Sequence, residues 1–191
     1  GRVTVTLHPA APCAFTLALR IPGRTESALY RAEPDLAWRF ALAVNGQPAQ
    51  AAVSAGYARL ARTWRDGDRV ELSLPLEIQR VRCDERVAAN RGRVAVQRGP
   101  IVYSFEDVDQ KRSVRSAVLP PEAALKAEWR ADLLGGVMAV EGGGWVGVPN
   151  FARLNRGGWS QVWLTEDRTK VDTGGLAGQA DVTVSFCRGN G

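Results

Sequence analysis

Apolar residues recur at every second position in one segment of this chain after another, and that period is the signature of a single kind of regular structure. Val3, Val5 and Leu7 alternate with Arg2, Thr4 and Thr6, while Phe15, Leu17, Leu19 and Ile21 alternate with Thr16, Ala18 and Arg20. Successive side chains of a strand point to opposite faces, so the pattern marks strands with one face buried. Tyr57 to Trp64 reads as a further strand, and Val70, Leu72 and Leu74 alternate cleanly with Arg69, Glu71 and Ser73. The punctuation agrees. Pro22 and Gly23 end one strand, Asn45-Gly46 after Trp38 to Val44 is a hairpin signal with its partner strand starting near Ala49, and Asp66-Gly67-Asp68 joins two more. The expected class is all-β.

The stretch Arg91 to Phe105 sets the organisation. Its two β-type runs, Val94 to Gln97 and Ile101 to Tyr103, are broken by Arg98, Gly99 and Pro100. A Gly-Pro pair weakens a strand and removes a backbone donor, so it is read as a kink at the crossing between two β units. At 191 residues the chain accommodates two sandwiches that share an interface. The expectation is two antiparallel β-sandwich, jelly-roll-like units in tandem: residues 1–90, residues 91–165, and a linker with the start of a further module over 166–191. Thr25 to Leu36 reads as a loop with one helical turn, and Glu106 to Arg115 as a charged surface loop. Glu122 to Ala131, entered through Pro121, is the segment with helical composition. Val137 to Val140 is a short strand followed by a Gly142 to Gly144 turn. Gln161 to Leu164 is the last convincing strand, Thr165 to Gly178 a linker, and Asp181 to Cys187 again strand-like.

Motifs that carry chemistry are few. Cys13, Cys83 and Cys187 are widely spaced and the sole histidine, His8, sits beside two prolines, so no zinc site is expected and the thiols read as free. A hydrolase triad has no base besides His8, and the acidic residues show no distinctive pair of the kind glycosidases need. Asp66 and Asp68 belong to turn chemistry, lacking the further oxygen ligands of a calcium loop. The glycines before Trp145 lack the Gly-Lys-Ser/Thr ending of a phosphate loop. No apolar run approaches a membrane span, so no membrane partner is expected. The chain starts at Gly1 directly in strand pattern, which suggests a segment of a longer protein.

Several of these stretches carry a resemblance. The run AANRGRVAVQRGPIVYSFE at Ala88 to Glu106, GYARLARTWRDGD at Gly56 to Asp68, LLGGV at Leu133 to Val137 and VPNFARLNRGG at Val148 to Gly158 together resemble the two β-sandwich domains after the catalytic barrel of glycoside hydrolase family 127, the β-L-arabinofuranosidase-like enzymes. Residues 1–90 then resemble the family's middle domain and 91–165 its C-terminal domain. The chain departs from the family pattern at Pro149 to Arg153, where an aromatic-rich PYYAW is usual, at Arg24 in place of Trp, and at Ser104 where Cys is common. The resemblance implies a cysteine nucleophile and a zinc ion held by cysteines and a glutamate, all in the helical barrel. The matching motif does not occur in this chain, so no catalytic, metal or cofactor residue is assigned to it. The role the resemblance implies is accessory: buttressing the barrel of the same polypeptide and contributing to a homodimer.

Charge and tryptophan supply the remaining candidates. The net charge is +5, and the densest basic stretch is Arg80, Arg82, Arg86, Arg91, Arg93 and Arg98. In extended chain Arg80 and Arg82 share a face, as do Arg91 and Arg93. No aromatic lies between Gln79 and Arg98 to stack on a base, so a domain-docking face of Arg80, Arg82, Arg91 and Arg93 is favoured and a nucleic-acid partner is not. The alternative to a buttress is a carbohydrate-binding module. Trp38, Trp64 and Trp163 lie in strand patterns and are expected in the core, whereas Trp145 and Trp159 border glycine turns and are the candidates for stacking on a sugar.

Overall fold

The computed structural model describes residues 1–23 and 27–167. It is all-β, its only helical elements in that range being single 3₁₀ turns. One sheet joins β1 (Arg2–Thr6), β8 (Arg69–Ser73), β4 (Ala41–Val44) and β5 (Gln47–Ala49) in that order. A second joins β2 (Cys13–Arg20), β7 (Tyr57–Trp64) and β6 (Val53–Ser54). The alternation places Leu19, Leu60 and Trp64 of one sheet against Leu42, Val44, Val70 and Leu72 of the other, with Ile21 closing the same core. Trp64 is fully buried and its Nε1–H donates to the Phe15 carbonyl at 3.0 Å. An aromatic side chain in such a position carries about 3–5 kcal/mol against truncation.

The turns explain the register. Asn45 and Gly46 have φ of 52° and 77°, the pair of positive values a tight primed hairpin needs, and Val44 pairs with Gln47 across them. The Asp68 carboxylate accepts from Asn45 Nδ2 and from the Arg65 backbone N–H, both at 2.8 Å, while Arg69 N–H donates to Asn45 Oδ1. Two turns distant in sequence are thereby stitched side by side at one end of the sandwich.

The third sheet is larger. Its order is β12 (Lys126–Arg130), β13 (Val137–Gly142), β14 (Trp145–Pro149), β11 (Ile101–Glu106), β10 (Arg93–Arg98), β9 (Ile78–Cys83) and β3 (Tyr30–Glu33). Two short strands join it: β15 (Ser160–Gln161) on β11 and β16 (Leu164–Thr165) on β10. Its core holds Val94, Val96, Tyr103, Phe105, Leu119 and Trp145 among others.

Several expectations are corrected. Gly99-Pro100 is a two-residue hairpin turn inside one sheet, with Arg98 paired to Ile101 and Gly99 at φ 58°, and not a crossing between units. Tyr30–Glu33, read as loop, is a strand because it pairs with β9 from Tyr30↔Cys83 to Glu33↔Arg80. Lys126–Arg130, read as helical from its Lys, Ala, Glu and Arg, is a strand along β13, as sheet pairing overrides weak local preference. Thr165 to Asp167 is no linker: Glu166 and Asp167 N–H both donate to the Gly92 carbonyl, and Leu119 N–H donates to that of Thr165. The strand-like reading of Asp181 to Cys187 lies outside the described residues. β9, placed by the sequence in the first unit, is an interior strand of the large sheet.

Candidate functional site

The structure splits the basic segment in two. Arg80 and Arg82 share a face of β9, as their spacing requires, and both turn onto Glu166. Arg82 approaches the Glu166 carboxylate in a fork through Nε and NH2, and Arg80 NH1 adds a third bond at 2.9 Å. Arg80 NH2 also donates to the carbonyls of Pro120 and Ala123, and Arg82 NH1 reaches Glu33. With side-chain exposures of 12% for Arg80 and 9% for Glu166, this is an internal clamp, not a free docking surface. The Glu166 bonds chiefly, reinforced by Glu33, hold the Arg82 guanidinium more firmly protonated than an ordinary arginine, against the effect of burial. Arg91 and Arg93 do not share a face. Gly92 between them has φ 69°, which takes Arg91 out of the strand, where its guanidinium donates to the Glu85 carbonyl. Arg93 is half-buried at the start of β10 and makes no ion pair among the described residues.

The tryptophans are redistributed as well. Trp145 is 1% exposed, its Nε1–H donating to the Val118 carbonyl at 2.8 Å and Arg112 lying 4.3 Å from its ring centroid, so it has no face to offer a sugar. The positive φ of Gly143 and Gly144 turns β14 straight back, and its first residue faces the core. Trp159 packs against the same core with Arg115 4.1 Å over its ring. Trp38, expected inside, is exposed, and Trp163 is half-buried against Tyr30.

A cluster whose members are far apart in sequence lies where two of the family-like stretches meet. Glu106, at the end of β11, is fully buried. Its carboxylate accepts from the Leu154 backbone N–H and from Arg156 NH2, at 2.5 and 2.6 Å. Arg156 NH1 and NH2 also donate to the two oxygens of Asp109, itself nearly buried. The Asp109 bonds chiefly, with Glu106 adding to them, raise the hold of the Arg156 guanidinium on its proton, against burial. Two carboxylates sharing one guanidinium through its NH1 and NH2 groups are anchors for the 150–158 loop rather than an acid and a base facing a substrate. Arg156 Nε, the Ser104 hydroxyl and Trp159 Nε1 are buried nearby in sequence without hydrogen-bond partners.

Neither of two surface clefts carries a carboxylate. One is lined by residues from Val44 to Gln50 and from Arg59 to Arg62, the other by Arg20, Gly23, Trp38, Val53, Ala55 and Gly56. Among the described residues no three His, Cys, Asp or Glu side chains gather to hold a metal: Cys13 and Cys83 are apart and free, and His8 Nδ1 bonds only to Asp66.

The molecule is thus a region of paired antiparallel β units whose ionic clusters hold loops in place. It belongs to glycoside hydrolase family 127, and comparison with known proteins shows which part. The family model "Beta-L-arabinofuranosidase, GH127 middle domain" matches residues 1–76, and "Glycoside hydrolase family 127 C-terminal domain" matches residues 78–165. The chain is 33% identical over 144 residues to a non-reducing end β-L-arabinofuranosidase of Bifidobacterium longum subsp. longum, a match spanning 72% of this chain and 20% of that protein. Among solved structures it is similar to a GH127 β-arabinofuranosidase, with TM-score 0.80 and 30% identity over 88% of this chain and 30% of that one. It is also similar to a GH127 β-L-arabinofuranosidase from Geobacillus stearothermophilus T6, with TM-score 0.73 and 31% identity over 87% of this chain and 29% of that one. The chain therefore spans between a fifth and a third of the length of these relatives.

Proposed function

We propose that this chain is the non-catalytic accessory region of a family 127 glycoside hydrolase, two β units that buttress a catalytic barrel carried elsewhere in the same polypeptide. The observation that supports this most directly is that the middle-domain and C-terminal-domain models account for residues 1–76 and 78–165. The site chemistry is consistent with it. Most glycoside hydrolases use two carboxyl groups reaching the scissile bond from opposite sides, whereas Glu106 and Asp109 are sealed beneath Arg156. We place the unit boundary beside Ile78, where β9 enters the large sheet, and assign to the second unit a share in homodimer contacts. Any docking role for the basic segment falls to Arg91 and Arg93, since Arg80 and Arg82 are committed to Glu166.

The test is turnover of an aryl β-L-arabinofuranoside by the highly purified chain. No activity is expected. Hydrolysis that survives purification and is abolished by a single substitution within residues 1–167 would overturn the accessory role.

A further inference from the structure

Trp38 is held in an unusual way for an exposed residue. Its side chain stands 48% exposed, yet its backbone is fixed at φ 60°, a region unfavourable to a non-glycine residue. The indole is pressed so closely onto the Gly23 backbone that a Cβ at that position would come within 1.9 Å of the ring. A strained backbone and a glycine seat are costs that exposure alone does not repay, and strain of this kind gathers at binding sites.

The ring forms one wall of an open cleft of about 570 Å³. In the same lining the Ala55-Gly56 turn, both residues at positive φ, and Val53 present little more than backbone and methyl groups. Arg20 supplies the polar chemistry. Its NH1 is tied to the carbonyls of Gly56 at 2.7 Å and Ile21 at 3.1 Å, and the guanidinium lies 5.5 Å from the Tyr57 ring centroid. Its Nε–H and NH2 donors make no hydrogen bond among the described residues. The guanidinium is therefore fixed in place with a donor edge unspent.

An indole face beside one oriented guanidinium, with no carboxylate in the lining, suits a particular ligand chemistry. A cation would find no counter-charge, and a polyanion would find one positive group only. A sugar ring offers an apolar C–H face to the indole and adjacent hydroxyl oxygens to the guanidinium donors. We propose that this cleft is a carbohydrate subsite, taking one neutral sugar of an oligosaccharide stacked on Trp38 and hydrogen-bonded through neighbouring hydroxyls to Arg20. The subsite is independent of the buttressing role. Only the choice of an arabinose-containing probe rests on the family reading.

Titration calorimetry of the full chain with an L-arabinofuranose oligosaccharide, and separately with maltotetraose, tests it. Binding in the millimolar range to at least one of the two is expected. Trp38→Gly removes the indole while relieving the positive φ, so the fold is kept and affinity should fall at least about tenfold. Gly23→Ala should weaken binding from beneath the ring, leaving every sugar-facing group in the sequence unchanged. Trp129→Ala, which deletes a tryptophan 60% exposed on the large sheet, should have no effect. Failure of the wild-type chain to bind either saccharide, or equal binding by Trp38→Gly with its thermal unfolding intact, overturns the proposal.

Discussion

Replacing Arg156 by leucine would strand two carboxylates in the interior, at a cost that can be worked from the contacts they would lose. Glu106 is fully buried and Asp109 nearly so, and Arg156 is the cation paired with both. Leucine fills much of the aliphatic volume but leaves Glu106 with the Leu154 N–H as its main remaining partner. Removing one member of a buried ion pair costs about 3–5 kcal/mol, mostly the penalty of the charge left behind. With a urea dependence of about 2 kcal/mol per molar, the unfolding midpoint should fall by about 1.5–2.5 M. Tryptophan fluorescence suits the assay, because Trp145 and Trp159 pack in the core of the same sheet. The double variant Glu106→Gln, Arg156→Leu separates lost charge pairing from lost packing. The introduced glutamine would keep an acceptor for Leu154 N–H while removing the buried charge, so the double variant should be more stable than Arg156→Leu alone. A single-variant loss below about 1 kcal/mol, the scale of an exposed pair, would refute the reasoning.

Two further outcomes are expected. Ser104→Cys should stabilise the chain by about 1 kcal/mol, raising Tm by about 2–4 °C, because the serine hydroxyl is buried without a partner and a thiol is cheaper to bury; a fall in Tm would count against it. The Asn45 amide first, and then the Arg65 N–H, hold the Asp68 carboxyl below the usual 3.8. A folded-state value below the unfolded one gives stability that is complete above about pH 4 and lost as pH falls through the depressed value, so Asp68→Asn should flatten the stability profile below about pH 4. Parallel acid-unfolding profiles for the two proteins would remove Asp68 from the account.

What was legible in the sequence was whatever one strand or one turn decides locally. β7 and β8 each bury one face, so their alternation is visible in isolation, and Asn45-Gly46 fixes its turn by its own backbone preferences. β3 and β12 carry no such pattern, being mostly exposed, and they are strands because a neighbour supplies the ladder. Trp145 looked exposed for bordering glycines, yet those glycines are what fold it inward. The Glu106, Asp109 and Arg156 cluster was hidden because its members lie up to 50 residues apart. Its one trace is a glutamate closing the otherwise uncharged run Ile101 to Phe105, where a charge signals a waiting counter-ion.

The position of β3 bears on how the chain is made. Tyr30–Glu33 lies within the first 76 residues, in the stretch matched by the middle-domain model, but its ladder partner is Ile78–Cys83. A ribosome adding about 5–20 residues per second exposes β3 for a few seconds before β9 exists. Through that interval the strand can only wait, while β4, β7 and β8 are made and can pair within their own sheets. The first unit therefore cannot finish folding in the order in which it is synthesised, and one of its own segments is completed only when the second unit arrives.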